Sequence, residues 1–123
     1  MGPMETGETT AIRFRRGKAS AEAIEKVVQD VLAEIGVPGS ESAKRAEPLT
    51  EDGVKLETLA QVPVFVEEEQ QAFDATTTTI VIGVATGLAT HISKELFDRF
   101  WDDVLWPRIK RRLGGDAVGD KIE

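Results

Sequence analysis

The side chains that most often carry out catalysis are scarce in this chain of 123 residues. It has no cysteine, no tyrosine and a single histidine, His91, so thiolate chemistry, disulfides and cysteine-based zinc sites are excluded. His91 lies in an apolar stretch, where a lone histidine is usually structural. The sequence shows no nucleophile elbow, no cluster of metal ligands and no carboxylate pair at a catalytic spacing. We therefore predict a protein that is not an enzyme and that needs no cofactor, metal or small-molecule substrate.

Gly83 and Gly87 have the spacing that puts two small residues on one face of a helix. Such a face lets two backbones approach closely, so the pair is a candidate helix–helix contact with a partner or a second copy. The alternatives are close packing within the chain, or a glycine turn after a buried strand. A dinucleotide site at such a turn is disfavoured, because a third small position and an acidic ribose-binding residue are missing.

The C-terminal third combines aromatic residues with a basic turn. We take the aromatic residues as a candidate protein interface: Phe97, Phe100, Trp101 and Trp106. Four basic residues follow that could face an anionic surface: Arg108, Lys110, Arg111 and Arg112. Tryptophan favours a membrane interface, and each basic residue attracts anionic lipid by about 1 kcal/mol. Several acidic residues on the same segment would oppose that attraction, and the alternative is a core helix whose aromatic rings pack on a sheet.

The charge is strongly acidic but unevenly distributed. The net charge of −7 argues against nucleic-acid binding, since phosphate contacts supply most of that affinity. Basic residues cluster at 13–18 and 108–112, while the densest acidic run is 67–69. Separated blocks of this kind can pair within the chain or with a second copy, or can be two solvated faces. The N-terminus lacks the features of a signal peptide, so we predict a cytoplasmic protein, with the membrane surface as the alternative location.

Two elements near the N-terminus are clear. Residues 11–15 alternate apolar and basic side chains, which predicts a strand with Ile12 and Phe14 on its buried face. Residues 21–35 carry an apolar stripe of helical period, with Ser20 as the N-cap and Gly36 and Pro38 ending the helix. Residues 38–53 are predicted to be a loop, and 54–66 to hold one or two strands, with Pro63 confining the later one to a sheet edge.

The segment 77–84 fits either a helix or a strand. As a helix it would begin at Asp74 and continue through Trp101, whereas its threonine, isoleucine and valine content favours a strand. Periodicity cannot decide for a short apolar run, and we favour the helix. A single helix over 75–113 would be about 58 Å long, far beyond the size of its own domain. It must therefore be broken near 83–87 or at Pro107, or be covered by a partner.

These elements together predict an α+β protein. A small sheet of about three strands is packed by one amphipathic helix, and a long C-terminal helical region over 75–113 is kinked, broken or covered by a partner. The domain is expected to span 11–113, between a disordered lead at 1–10 and a disordered tail at 114–123. The function predicted is a protein-interaction module that self-associates or binds a partner through the C-terminal helix. The alternative is peripheral membrane association through residues 80–112.

Overall fold

The computed structural model describes residues 9–52, 54–70, 78–85 and 93–122. Four strands form one antiparallel sheet in the order β2-β3-β1-β4: β1 Thr9–Arg16, β2 Val64–Gln70, β3 Thr78–Ala85 and β4 Val118–Lys121. The helices are α1 Ala21–Ile35, α2 Glu41–Ala46, α3 Leu56–Ala60, α4 Lys94–Phe100 and α5 Trp106–Leu113. A 3₁₀ segment, Glu47–Asp52, follows α2, and a π-helical segment, Trp101–Leu105, joins α4 to α5. The predicted α+β class is confirmed, with one more strand than expected.

The strand predicted at 11–15 and the helix predicted at 21–35 are confirmed by β1 and α1. Ser20 caps α1, because its hydroxyl accepts a hydrogen bond from the Ala23 amide at 3.1 Å. The apolar stripe of α1 is buried against the sheet and the neighbouring helices, with Ile24, Val27, Val28, Val31, Leu32 and Ile35. Alternation and helical period are reliable here because each element has one buried face and one polar face.

The helix favoured for 77–84 is wrong, because this segment is β3, the second strand of the sheet. It is hydrogen-bonded to β2 on one side and to β1 on the other. The β-branched residues suit this position, in which side chains of both faces are buried. The predicted helical region over 75–113 is therefore shorter and runs from Lys94 to Leu113, while residues 75–77 and Gly87 lie outside the described residues.

The C-terminal tail is also ordered where a disordered segment was predicted over 114–123. Val118–Lys121 forms β4, which pairs with β1, and Ala117 and Val118 are buried. The backbone before it is fixed as well, since the Lys18 amide donates to the Asp116 carbonyl at 2.9 Å. A short strand with one apolar residue carries little sequence signal, because most of its stabilisation comes from the ladder of β1. Of the predicted N-terminal lead, Thr9 and Thr10 belong to β1, and residues 1–8 lie outside the described part.

The helices pack on one face of the sheet, and the core lies between these two layers. On the sheet side the core is made by the inward residues of three strands: Ile12, Phe14, Val64, Val66, Ile80, Ile82 and Val84. The helical region from 94 to 113 adds Leu96, Phe97, Phe100, Trp101, Val104, Leu105 and Ile109. Pro107 lies in the first turn of α5, where proline is tolerated, so the expected break takes the form of a new short helix.

Gly83 provides a test of the strand assignment. A Cβ at this position would lie 2.7 Å from Cζ of Phe65 and 2.8 Å from the carbonyl oxygen of Thr10, so the backbone of β1 would have to move. We expect Gly83→Ala to lower the free energy of unfolding by about 1–3 kcal/mol in urea denaturation, the usual cost of overpacking.

If residues 77–84 formed a helix, Gly83→Ala would raise the free energy of unfolding instead of lowering it. In a helix interior, glycine to alanine stabilises by up to about 1 kcal/mol. Gly115→Ala is a suitable control, because the nearest atom to an added Cβ there would be Cε of Lys110, at a normal contact distance of 3.8 Å. Gly39→Ala is unsuitable, because Gly39 has a φ of +82°, which strains any residue with a side chain. A Gly83→Ala protein at least as stable as the wild type would contradict the strand.

Candidate binding groove

A groove of about 470 Å³ lies between the C-terminal helical region and β4. One wall is formed by helical residues Trp101, Asp102 and Trp106, and the opposite wall by residues 118–121 of β4. The loop that joins them contributes Gly115 and Asp116, and Phe14 of β1 lies at the bottom. The groove exists because β4 is ordered, since the strand forms a wall opposite the helix. Its volume falls in the range of small-ligand and side-chain pockets.

Three aromatic rings lie in series along the groove. The Phe14 and Trp101 ring centroids are 5.3 Å apart with the planes tilted by 35°, and the Trp101 and Trp106 centroids are 5.9 Å apart at 23°. Phe14 and Trp101 are buried, whereas Trp106 is half-buried. The outermost ring of the series is therefore the one that a ligand can contact.

The π-helical segment explains how the two tryptophans meet. The Trp106 amide donates to the Trp101 carbonyl, a hydrogen bond between residues five apart. In a regular α-helix, residues five apart point in directions that differ by about 140°, so the two rings would diverge. The wider π turn brings Trp101 and Trp106 onto one side of the helix. Single π turns of this kind are frequently found at functional sites.

The polar lining of the groove is predominantly acidic. Asp102, Asp116 and Asp120 are exposed around it, and among the described residues Lys121 is the one basic residue that lines it. Asp116 is also paired with Lys18, whose Nζ lies 3.1 Å from Oδ2; this hydrogen bond lowers the pKa of the Asp116 carboxyl. Among the described residues, no three acidic or histidine side chains form a group that could hold a metal ion, and that includes these aspartates.

Most of the predicted interface residues are not at the surface. Phe97, Phe100 and Trp101 are between 0 and 4% exposed in the core of the chain itself, so the unpaired aromatic surface expected from the sequence is absent. Trp106 is the member that keeps an accessible face, and it lies in the groove. Gly83 lies in β3 beneath the Phe65 ring, which excludes a helix–helix contact at this residue. Gly87 lies outside the described residues.

The predicted anion-facing residues are largely occupied by acidic side chains of α1 and α2. Arg108 forms a two-pronged pair with Glu34, in which Nη1 donates to Oε1 at 2.8 Å and Nη2 donates to Oε2. Arg111 pairs with Glu41 through two hydrogen bonds of 3.1 and 3.2 Å. Nη1 of Arg112 lies 3.6 Å from Oδ2 of Asp30, and Lys110 is exposed. The basic turn thus attaches α5 to the rest of the helical layer.

The Arg108–Glu34 pair is the least exposed of these contacts, with side-chain exposures of 19% and 35%. The hydrogen bonds from Arg108 lower the pKa of Glu34, and the Ser42 hydroxyl, which donates to the same carboxylate at 2.9 Å, adds to this effect. The same pairing raises the pKa of Arg108. We refer to Arg108, Glu34 and Ser42 as the α5 clamp.

Sequence reasoning missed the acidic side of the groove. Asp116 and Asp120 fall in the segment 114–123 predicted to be disordered, and Asp102 is one of the acidic residues predicted only to oppose lipid binding. The tryptophan pair at an interval of five residues was the available signal, but it is meaningful only once a π turn is known.

Comparison of the chain with known protein families, with characterised proteins and with solved structures finds no significant match. Within the part of the chain that the structure describes, none of the helices has the length and apolar character needed to cross a membrane. The function must therefore be argued from the groove and the surfaces themselves.

The α5 clamp predicts a pH-dependent stability. A carboxyl with a lowered pKa stabilises the fold above its unfolded value, about 4.5 for Glu34, and loses that contribution as the pH falls through the lower folded value. We expect Glu34→Gln to reduce the free energy of unfolding by about 1–2 kcal/mol at pH 7, the range of hydrogen bonds to charged groups that are partly exposed.

Urea denaturation at pH 7 and pH 3 checks this prediction. The difference between wild type and Glu34→Gln should shrink as the pH falls below about 4.5, because the unfolded wild-type carboxyl then binds a proton, and it should be lost below the lower pKa of the folded carboxyl. Glu25→Gln, on the same helix, removes the same charge without touching Arg108 and serves as the control. An equal loss at both pH values would contradict a role for the ionised carboxylate.

Proposed function

We propose that this protein is an interaction module that receives a basic segment of a protein partner in the groove between the C-terminal helical region and β4. The observation that carries the proposal is the coincidence of an accessible tryptophan face with three carboxylates in one concave site. An aromatic face attracts a cation through its quadrupole, and nearby carboxylates add Coulomb attraction.

Arginine is the side chain that suits this site best. Its planar guanidinium can stack on the Trp106 ring while its N–H groups donate to a carboxylate at the rim, such as that of Asp102 or Asp120. Lysine offers a point charge on a flexible stem and can use only part of this arrangement. The net charge of −7 also favours encounter with a basic partner, at a rate that falls as salt is raised.

This proposal keeps part of the sequence-based prediction and changes the rest. Partner binding still involves the C-terminal helical region, but through Trp106 and the aspartates instead of an exposed stripe of aromatic residues. Peripheral membrane association remains a prediction of the sequence with no added support. The region 80–112 on which that prediction depends begins in strand β3, inside the sheet. Three of the four basic residues at 108–112 are paired with carboxylates.

The test uses the intrinsic fluorescence of the protein. Trp101 and Trp106 are the two tryptophans of the chain and both line the groove, so no label is needed. We expect a blocked hexa-arginine peptide to change the tryptophan emission saturably, with weaker binding of hexa-lysine and no response to hexa-glutamate. Raising the salt concentration should weaken the binding. The absence of a saturable change with hexa-arginine up to millimolar concentration at low salt would refute the proposal.

Charge variants show whether the groove itself binds the peptide. We expect Asp102→Asn and Asp120→Asn each to raise the Kd by about two- to fivefold, as for an exposed ion pair worth 0.5–1 kcal/mol. Asp103→Asn is the matched control, because it removes the same charge from the neighbouring residue, which does not line the groove. Lys121→Gln should lower the Kd, since it removes the one cation of the lining, whereas a damaged groove would raise it.

A further inference from the structure

The face of the sheet that points away from the helices has an ordered charge pattern. The register of the three long strands aligns their outward side chains in three rows across the sheet. From β2 through β3 to β1 the rows are Phe65–Gly83–Ala11, Glu67–Val81–Arg13 and Glu69–Thr79–Arg15. We call these nine residues the outer face. One flank of it is acidic, the centre is small or apolar, and the other flank is basic.

The two charged flanks of the outer face are exposed, whereas the β3 residues between them are buried within the chain. The Arg13–Glu69 pair, with 3.9 Å between Nε and Oε1, leaves both side chains about half exposed. Long ion pairs of this kind contribute little to stability within one chain. The charges of the two flanks are therefore available to a second molecule, while Val81 and Thr79 remain buried between them.

This pattern is complementary to itself. When two such sheets stack face to face about a two-fold axis parallel to β3, β3 lies over β3 of the second copy and β1 lies over its β2. Because Arg13 and Glu67 belong to one row, Arg13 of one copy then faces Glu67 of the other. In the same way Arg15 faces Glu69. We propose that the outer face is a homodimer interface that a second copy of this chain occupies in this parallel orientation.

Other ways of pairing two copies are less favourable. An axis across the strands would place β1 over β1 and bring arginines against arginines. Pairing through the edge of β2 would align two runs of Glu67, Glu68 and Glu69, and like charges on an edge strand oppose such pairing. The parallel face-to-face arrangement is the one in which both flanks meet the opposite charge.

The size of the outer face sets the expected strength of the dimer. Stable interfaces typically involve about 20–30 residues a side, and the outer face has three rows of three. Its accessible apolar surface is limited to Ala11 and to Phe65, which is half-buried over Gly83, since Val81 is buried. We therefore expect a dimer with a Kd on the order of 10–100 μM at low salt, which weakens as salt screens the flanks.

Charge reversal tests the interface without knowledge of any other partner. The first variant carries Arg13→Glu and Arg15→Glu, and the second carries Glu67→Arg and Glu69→Arg. By sedimentation equilibrium, each variant alone should dimerise at least tenfold more weakly than the wild type. An equimolar mixture should recover dimerisation, because every reversed flank then faces its opposite. Both variants keep a negative net charge, since each changes the value of −7 by four, so bulk attraction cannot explain recovery.

Controls come from the same two strands. Arg16→Glu and Glu68→Arg reverse charges that point to the helical side of the sheet, where Arg16 Nε and Glu68 Oε2 are 3.9 Å apart, and they should leave the dimer Kd unchanged. Circular dichroism establishes that each variant is folded. A wild-type protein that stays monomeric at 1 mM in low salt would overturn the proposal, as would a mixture that dimerises no better than its components. The aromatic rings of the groove lie on the other side of the sheet, and dimerisation is measured without peptide, so this result is independent of peptide binding.

Discussion

The hydrogen-bonded position of β3 between β1 and β2 is the constraint on which the rest of the structure depends. A strand paired on both sides presents its side chains to both faces of the sheet, and here Ile80, Ile82 and Val84 supply the inner face. These residues form the floor on which α1 and the C-terminal helical region pack. Because 78–85 is committed to the sheet, the helical region can begin only after it, and at Lys94–Leu113 it is short enough to lie within the domain.

The shortened helical region then determines where its aromatic residues go. Phe97, Phe100 and Trp101 meet the inner face and complete the core, which leaves Trp106 as the accessible ring. The π turn places Trp106 on Trp101, and the α5 clamp holds the helix that follows against α1. With the helix fixed on one side and β4 paired to β1 on the other, the groove has two walls that belong to different layers of the fold.

The predictable parts of this fold are those with a one-sided apolar pattern. The alternation of Ile12 and Phe14 and the stripe of α1 identify their elements because one face is buried and the other is solvated. The apolar pattern does not identify the element at residues 78–85, because a strand buried on both faces has no alternation that distinguishes it from a buried helix. β4 and the groove residues Asp116 and Asp120 could not be predicted at all, because they depend on a ladder formed with β1, more than a hundred residues earlier in the chain. The pairing of Arg108 with Glu34 likewise joins residues 74 positions apart.

The two proposed surfaces lie on opposite sides of the sheet, and this arrangement has a consequence for binding. A dimer formed through the outer face would leave both grooves exposed and directed away from each other. Each groove offers one stacked ring and a few carboxylates, which suffices for weak binding of one basic segment. A partner carrying two such segments could engage both copies, and the second contact would then be intramolecular, with a higher effective concentration. Modest affinity at each surface is therefore compatible with selective assembly, provided that the spacing of the basic segments matches the separation of the two grooves.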